Sequence, residues 1–326
     1  MPAFIPEPFA SPAISPDTAT LFRRTPYISP SEYKQTPTAV GVGNLVPGGS
    51  AAEQLAALAT VISRASDWVD TFCFHKADGT LAASPSSESG WVRVKSDGSL
   101  KLICNYKPVL EVDALALGSG PNSMTNIGQE AAEELTITGQ IIQLAQANPV
   151  RGVTTIFPGA RTVYGKVYAV WEYVNGFPHT SITKEAKVGA KAIEVAPSVP
   201  GGSVVYGVYP GTQLTIHDGE LTESVVVSSV SGLTLNTNAL LYTHKPPAAP
   251  DTTRVSAVPW VVEQATISYV SSLIKMRGSR AMVIPQSPAK SASAPKQAEG
   301  QAGGMQDRQE AERMLRPFVI PYLRST

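Results

Sequence analysis

Four histidines, His75, His179, His217 and His244, are the first residues to weigh for chemistry, and they sit at no metal-ligand spacing. His217-Asp218 in "TIHDGE" has the residue types for acid–base or metal work, but its place in a turn between strand-like runs predicts a polar surface role. Glu130, Glu133 and Glu134 in "GQEAAEE" read as a solvated acidic face rather than a cation site. "GVGNLVPGGS" lacks the lysine of a phosphate loop and follows no strand, and no serine occupies a strand–turn–helix elbow. Cys73 and Cys104 are too few for a disulfide framework or a zinc site, and their apolar surroundings predict buried thiols. These residues give no catalytic, cofactor or metal site, so the expectation is a protein that is not an enzyme, and function has to be sought in the elements.

Two helical runs organise the chain. In "SAAEQLAALATVISRASDWVDTFC", Leu55, Leu58, Ile62, Ala65, Val69 and Phe72 recur every three or four residues, which places them on one helix face. Glu53, Ser63, Asp67 and Asp70 fall opposite. Ser50 and Glu53 make a capping box at its start. The second run, "PWVVEQATISYVSSLIKMRG", carries Val262, Ile267, Tyr269 and Ile274, and ends on Lys275 and Arg277, where cations are favoured. Between the two lies strand and turn sequence. Trp91–Val94 and Leu100–Leu102 flank Asp97-Gly98, a hairpin signal. "PVLEVDALALG" is a strand, Gly139-Gln140 separates two more, and "RTVYGKVYAVWEYVNG" alternates as a half-buried strand. Residues 183–244 hold four short β-branched runs joined by tight turns, the pattern of a small barrel or sandwich.

The expected fold class is therefore α+β: a small helical core, helices near 50–73 and 258–277, with an inserted β-rich barrel or sandwich and extended arms at both ends. Residues 1–49 form a proline-rich N-terminal arm, with a short turn capped by Ser29 and begun by Pro30. Residues 50–90 begin the core, 91–257 are the β insertion and 258–284 close the core. Residues 285–306, "PQSPAKSASAPKQAEGQAGGMQ", lack the apolar side chains to bury and read as a flexible linker. Residues 307–326 resume structure, with a short helix from Asp307 to Leu315 and then an apolar peptide suited to docking: Leu315, Pro317, Phe318, Val319, Ile320, Tyr322 and Leu323. Whether arm and tail lie on their own body or on a neighbour stays open.

With 26 basic and 26 acidic residues the chain is neutral, which excludes a broadly basic nucleic-acid surface. Arg23, Arg24, Arg151, Arg161, Lys166, Lys184, Lys187 and Lys191 line DNA only if they converge, and Glu172, Glu185 and Glu194 dilute them. Charged residues are 16% of the chain, below the roughly 25% usual for a soluble domain, as suits a subunit whose surface is covered by partners. Prolines interrupt the start where a signal peptide needs an apolar core, and no run reaches membrane-span length.

"YISPSEYKQTPTAVGVGNL", then "LAALATVISRASDWVDTFCF", the β run through "GTQLTIHDGELTESVVVSSVSGLTLNT", and the closing "VEQATISYVSSLIKMRG" together resemble the head-to-tail connector (adaptor) proteins of tailed bacteriophages, in a long form with an inserted β domain. The resemblance covers residues from about 27 to 278 and rests on the order of the motifs; the long insertion, the proline-rich arm and the tethered tail depart from short members. It implies a structural protein of the virion neck, assembled in the host cytoplasm into a homo-oligomeric ring, usually a dodecamer. Such a ring sits between the portal protein and a tail or stopper protein, with DNA passing through its lumen and no membrane involved. The two amphipathic helices would supply core and lateral contacts, and the tail would reach the portal. Other readings are a different neck, minor head or tail-completion protein, then a carbohydrate-binding module presenting Trp91, Trp171, Tyr168 and Tyr173, then an enzyme.

Overall fold

A computed structural model describes residues 25–74, 79–95, 99–126, 135–144, 166–198, 201–219, 221–246, 249–276 and 295–319, the last span with side chains from residue 303. The fold is α+β: a small helical core carrying inserted β structure.

Ser29 opens α1 (Pro30–Gln35) with a full capping box, its hydroxyl accepting from Glu32 N–H while the Glu32 carboxylate accepts from Ser29 N–H. Ser50 and Glu53 do the same for α2 (Ala51–Phe74). Leu58, Ile62, Ala65 and Val69 are fully buried, whereas Leu55 and Phe72 are half-buried. Asp70 departs from the expected polar face. It is buried, accepts from the Tyr27 hydroxyl and from Leu81 N–H at 2.9 Å, and so ties the N-terminal segment to the residues after α2.

α3 (Trp260–Lys275) lies against α2, where Tyr269 stacks on Trp68 at 3.7 Å between ring centroids. A fourth helix, α4 (Pro295–Leu315), packs on α3. It begins well before Asp307, so residues 295–306 are helix rather than linker; residues 285–294 lie outside the described span. The close approach depends on Gly304, since a Cβ there would meet Met276 Cγ at 2.8 Å and the Ser272 carbonyl at 3.3 Å. Lys275 pairs with Asp307 at 2.6 Å beside it. Tyr27, Ile28, Tyr33 and Leu45 are buried in this same helical core, so the arm from residue 25 onward lies on its own body. Residues 1–24 lie outside the described span.

The β structure forms two bodies. In the first, a four-stranded antiparallel sheet, β1 (Ser84–Arg93), β7 (Lys166–Asn175), β3 (Val109–Gly120) and β4 (Ser123–Asn126), shares a core with a three-stranded one, β2 (Leu100–Ile103), β6 (Ile141–Leu144) and β5 (Leu135–Thr138). β1 is more polar than expected of a strand and survives as an edge, where Pro85 costs no ladder bond to a second neighbour. The reversal expected about Asp97-Gly98 is present at its base, where Val94 and Leu100 form an antiparallel bridge and Lys95 N–H donates to the Ser99 carbonyl at 3.0 Å, although the longer ladders go elsewhere. β1 pairs with β7 and β2 with β6, and the Val94–Leu100 bridge joins the sheets; Asp97-Gly98 itself lies outside the described residues.

The second body is one curled sheet in the order β8 (His179–Ser181), β13 (Arg254–Ser256), β10 (Gln213–His217), β11 (Thr222–Ser231), β12 (Thr234–Thr237) and β9 (Ala192–Glu194). Its ends meet at the Ile182–Val195 bridge, which encloses Ile193, Leu214, Ile216, Val225, Leu235 and Val255.

Candidate functional site

Where the curled sheet meets α1 and α3, charges collect in the interior. Arg254 on β13 has a fully buried side chain. Its Nε donates to Glu32 Oε2 at 2.8 Å, and its Nη2 donates both to Glu32 Oε1 and, at 3.0 Å, to Glu263 Oε1. The imidazole of His217, at the end of β10, faces the same carboxylates, with Nδ1 3.4 Å from Glu32 Oε1 and Nε2 3.8 Å from Glu263 Oε1. Four elements, of which β13 and α3 alone are neighbours in sequence, are thus fastened at one point. The β10–β11 turn closes on α1 as well, because a Cβ on Gly219 (φ +89°) would lie 2.9 Å from Ser31.

Burial opposes every charge here, and the pairing decides which survive. Burial alone would raise the carboxyl of Glu32, but the Arg254 guanidinium outweighs it and holds Glu32 below the usual carboxylate range. Burial would likewise release the Arg254 proton, yet Glu32 and Glu263 keep it bound more tightly than in water. For His217, burial and then Arg254 push the imidazole toward its neutral form, against the pull of Glu32, Glu263 and Asp218. Two carboxylates therefore face one guanidinium and a neutral ring.

An open cleft of about 290 Å³ lies against this cluster, lined by Gln213, Thr215, His217, Ser256, Trp260 and Glu263 among others. Trp260, the first residue of α3, is 72% exposed at its rim. On the cleft wall the Ser256 hydroxyl donates to His179 Nδ1 at 2.9 Å, and His179 Nε2 donates to the Thr25 and Pro26 carbonyls at 3.0 and 3.1 Å. That is a nucleophile–base–orienter arrangement in outline. It is a poor one chemically: burial, reinforced by Arg254, lowers His179 to about 3, so the ring is a weak base at neutral pH. The Ser256 oxygen also accepts from Val258 N–H at 3.0 Å, and the residue is 2% exposed. Ser256 and His179 anchor the entering chain.

His217-Asp218 thus differs from the expected surface turn. His217 belongs to the cluster, and Asp218 accepts from His244 Nδ1 at 2.7 Å, with Glu223 3.4 Å from the other nitrogen of that ring. Sequence reasoning missed Arg254, Glu32 and Glu263; the one signal was an arginine inside the β-branched run "TRVSAV".

Of the helix residues expected to build the core, Leu58, Ile62, Val69, Val262 and Ile267 are buried, while Leu55, Phe72, Tyr269 and Ile274 keep part of their surface open. Of the docking residues, Leu315 needs correction: it is fully buried in the helical core with Ala311, and Phe318 packs edge-on to Phe177 with centroids 6.2 Å apart. Pro317 is exposed and Val319 half-exposed; Ile320, Tyr322 and Leu323 lie outside the described residues. Lys166, Lys184, Lys187 and Lys191 are exposed, Lys184 being paired with Glu194; Arg23, Arg24, Arg151, Arg161, His75, Glu130, Glu133 and Glu134 lie outside the described residues. Cys73 and Cys104 are free and buried. Among the described residues no group of three or more His, Cys, Asp or Glu is arranged to hold a metal, and no helix is long and apolar enough to cross a membrane. No family model matches the sequence, and neither a curated protein nor a solved structure matches it.

Proposed function

We propose that this chain is a structural subunit of a tailed-phage neck, forming a homo-oligomeric ring, expected to be a dodecamer, between portal and tail or stopper, with DNA passing through the lumen unread. Its place is then the virion, assembled in the host cytoplasm, and its work is mechanical rather than catalytic. The observation that carries the reading is the order of elements: amphipathic α2 and α3, remote in sequence, pack into one body, and the β structure is inserted between them. The open surfaces of Leu55, Phe72 and Ile274 suit lateral contacts, and repeating one such heterologous contact closes a ring. A charged fraction of 16% supports extensive coverage by partners. Because Leu315 and Phe318 are engaged within the subunit, portal docking falls to Pro317, Val319 and the residues beyond.

The test is the solution mass by light scattering, alone and with a purified portal ring. A chain of 34.4 kDa that oligomerises alone or on the portal supports the reading. A monomer indifferent to portal, at concentrations well above those of assembly, refutes the adaptor role.

A further inference from the structure

The four-stranded sheet leaves one face open. On β7, Val167, Ala169, Trp171 and Tyr173 point into the core, so Lys166, Tyr168, Val170 and Glu172 point the other way, and all four keep part of their surface exposed. The register carries this alternation onto the neighbouring strands. On β1, Arg93 stands beside Lys166, Trp91 beside Tyr168 and Ser89 beside Val170; on β3, Ala116 and Ala114 stand beside Val170 and Glu172. Trp91 is 49% exposed.

The face is polarised along its strands. At one end the cations Arg93 and Lys166 are direct cross-strand partners, an arrangement that costs stability within one chain. At the other, Glu172 adjoins the bulge that carries Asp113, where burial, then Glu111 and Glu172, raise the Asp113 carboxyl. Among the described residues, Arg93, Lys166, Asp113 and Glu172 make no ion pair. Lys166 and Glu172 lie six residues apart on β7, about 20 Å of strand, so neither end relieves the other. Between them lie Trp91, Tyr168, Val170 and the small side chains of β3.

A fitting occupant is acidic over the basic end, basic over the acidic end and apolar between. The face itself has that pattern when turned end for end. We infer that it pairs with the same face of a second copy, about a two-fold axis that lies between the sheets and crosses the strands near Ala169. Arg93 and Lys166 of each copy then meet Glu172 and Asp113 of the other, and Trp91 lies over Ser89 of the second copy. Ala114 and Ala116 let the sheets approach to the usual spacing of about 10 Å. An axis along the strands would instead set cations on cations. The contact is isologous, hence separate from the heterologous one that closes a ring, and it stands whether or not the ring forms. Trp91 and Tyr168 meet edge-on at 76° and share no plane, which argues against a platform for stacking a sugar.

The experiment compares the full-length chain with Arg93→Glu/Lys166→Glu and with Asp113→Lys/Glu172→Lys, by sedimentation equilibrium and by capture between differently tagged copies. The unchanged chain pairs, and each variant alone pairs at least about tenfold more weakly, because like charges now face each other. Mixed, the two variants capture each other, since every contact again joins opposite charges; this recovery also shows that both are folded. Trp91→Ser weakens pairing with the charges intact. A ring closed through other surfaces takes up all forms alike, so it adds equally to self-capture and cross-capture and leaves their difference to this face. Cross-capture that does not exceed self-capture overturns the proposal, as does an unchanged chain that stays monomeric. Binding of soluble oligosaccharides at Trp91 in place of pairing gives the face to a carbohydrate and overturns it too.

Discussion

Replacing Arg254 by methionine removes the one buried cation from the junction and keeps much of its bulk. Glu32 and Glu263, whose side chains are 14% and 17% exposed, are then left near each other without a counter-charge. Breaking a buried pair from one side costs about 3–5 kcal/mol, and two stranded carboxylates place this site toward the upper part of that range at pH 7. With a urea slope of about 3 kcal/mol/M, the midpoint falls by roughly 1–2 M. The pH dependence makes the prediction specific. In the native chain Glu32 is held below its unfolded value, so its contribution is present above the unfolded carboxylate range and is lost as pH falls through the folded value. His217 and His179 are also depressed, so acid below about 6.5 favours the unfolded chain, by up to about 1.4 kcal/mol per pH unit for His179 until about pH 3. Without Arg254 the Glu32 carboxyl keeps its burial but loses its main counterweight, with His217 and the Ser29 N–H left to oppose it, and takes a proton more readily when folded. The gap between native and variant therefore narrows on going from pH 7 to pH 5. Urea unfolding followed by tryptophan fluorescence at both pH values measures it. A gap below about 1 kcal/mol, or one that does not change with pH, would show that the cluster does not hold the junction together.

Two further outcomes are expected. Leu315→Ala cuts a fully buried side chain out of the helical core and destabilises the protein by about 2–5 kcal/mol in the same assay; a neutral result would mean that α4 is not seated on the core. Burial pushes the thiols of Cys73 and Cys104 up to about 12, so a thiol-specific chromogenic reagent at pH 8 titrates neither until denaturant is added, and prompt reaction of either in native buffer contradicts the packing.

The parts of the fold that were legible in the sequence are those with a local period. The spacing of Leu58, Ile62 and Val69 marks α2, the β10–β11–β12 turns carry Asp218-Gly219 and Gly232, and Gly139 divides β5 from β6. Asp70 could not be read, since its polarity argues for solvent, and partners supplied from elsewhere, the Tyr27 hydroxyl and the Leu81 N–H among them, make burial tolerable. The N-terminal part of α4 was obscured by Gly303-Gly304, which lowers helix propensity but allows the contact with α3 that keeps the helix formed. The charge cluster has no period at all. Residues 32, 217, 254 and 263 meet only after α1, β10, β13 and α3 are in place.

The curled sheet is reached through β8 and left through β13, and these strands are direct antiparallel neighbours, Ser181 beside Arg254 and His179 beside Ser256. A module hung from two adjacent strand ends behaves as a door on one post, free to swing about that line. The contact of His217 with Glu32 and Glu263 adds a latch on the next strand over, and it locks the door. Mechanical load passed between the helical core and the sheet is therefore carried by a rigid bracket, and it loosens only in acid strong enough to protonate Glu32, the carboxylate that Arg254 and His217 share.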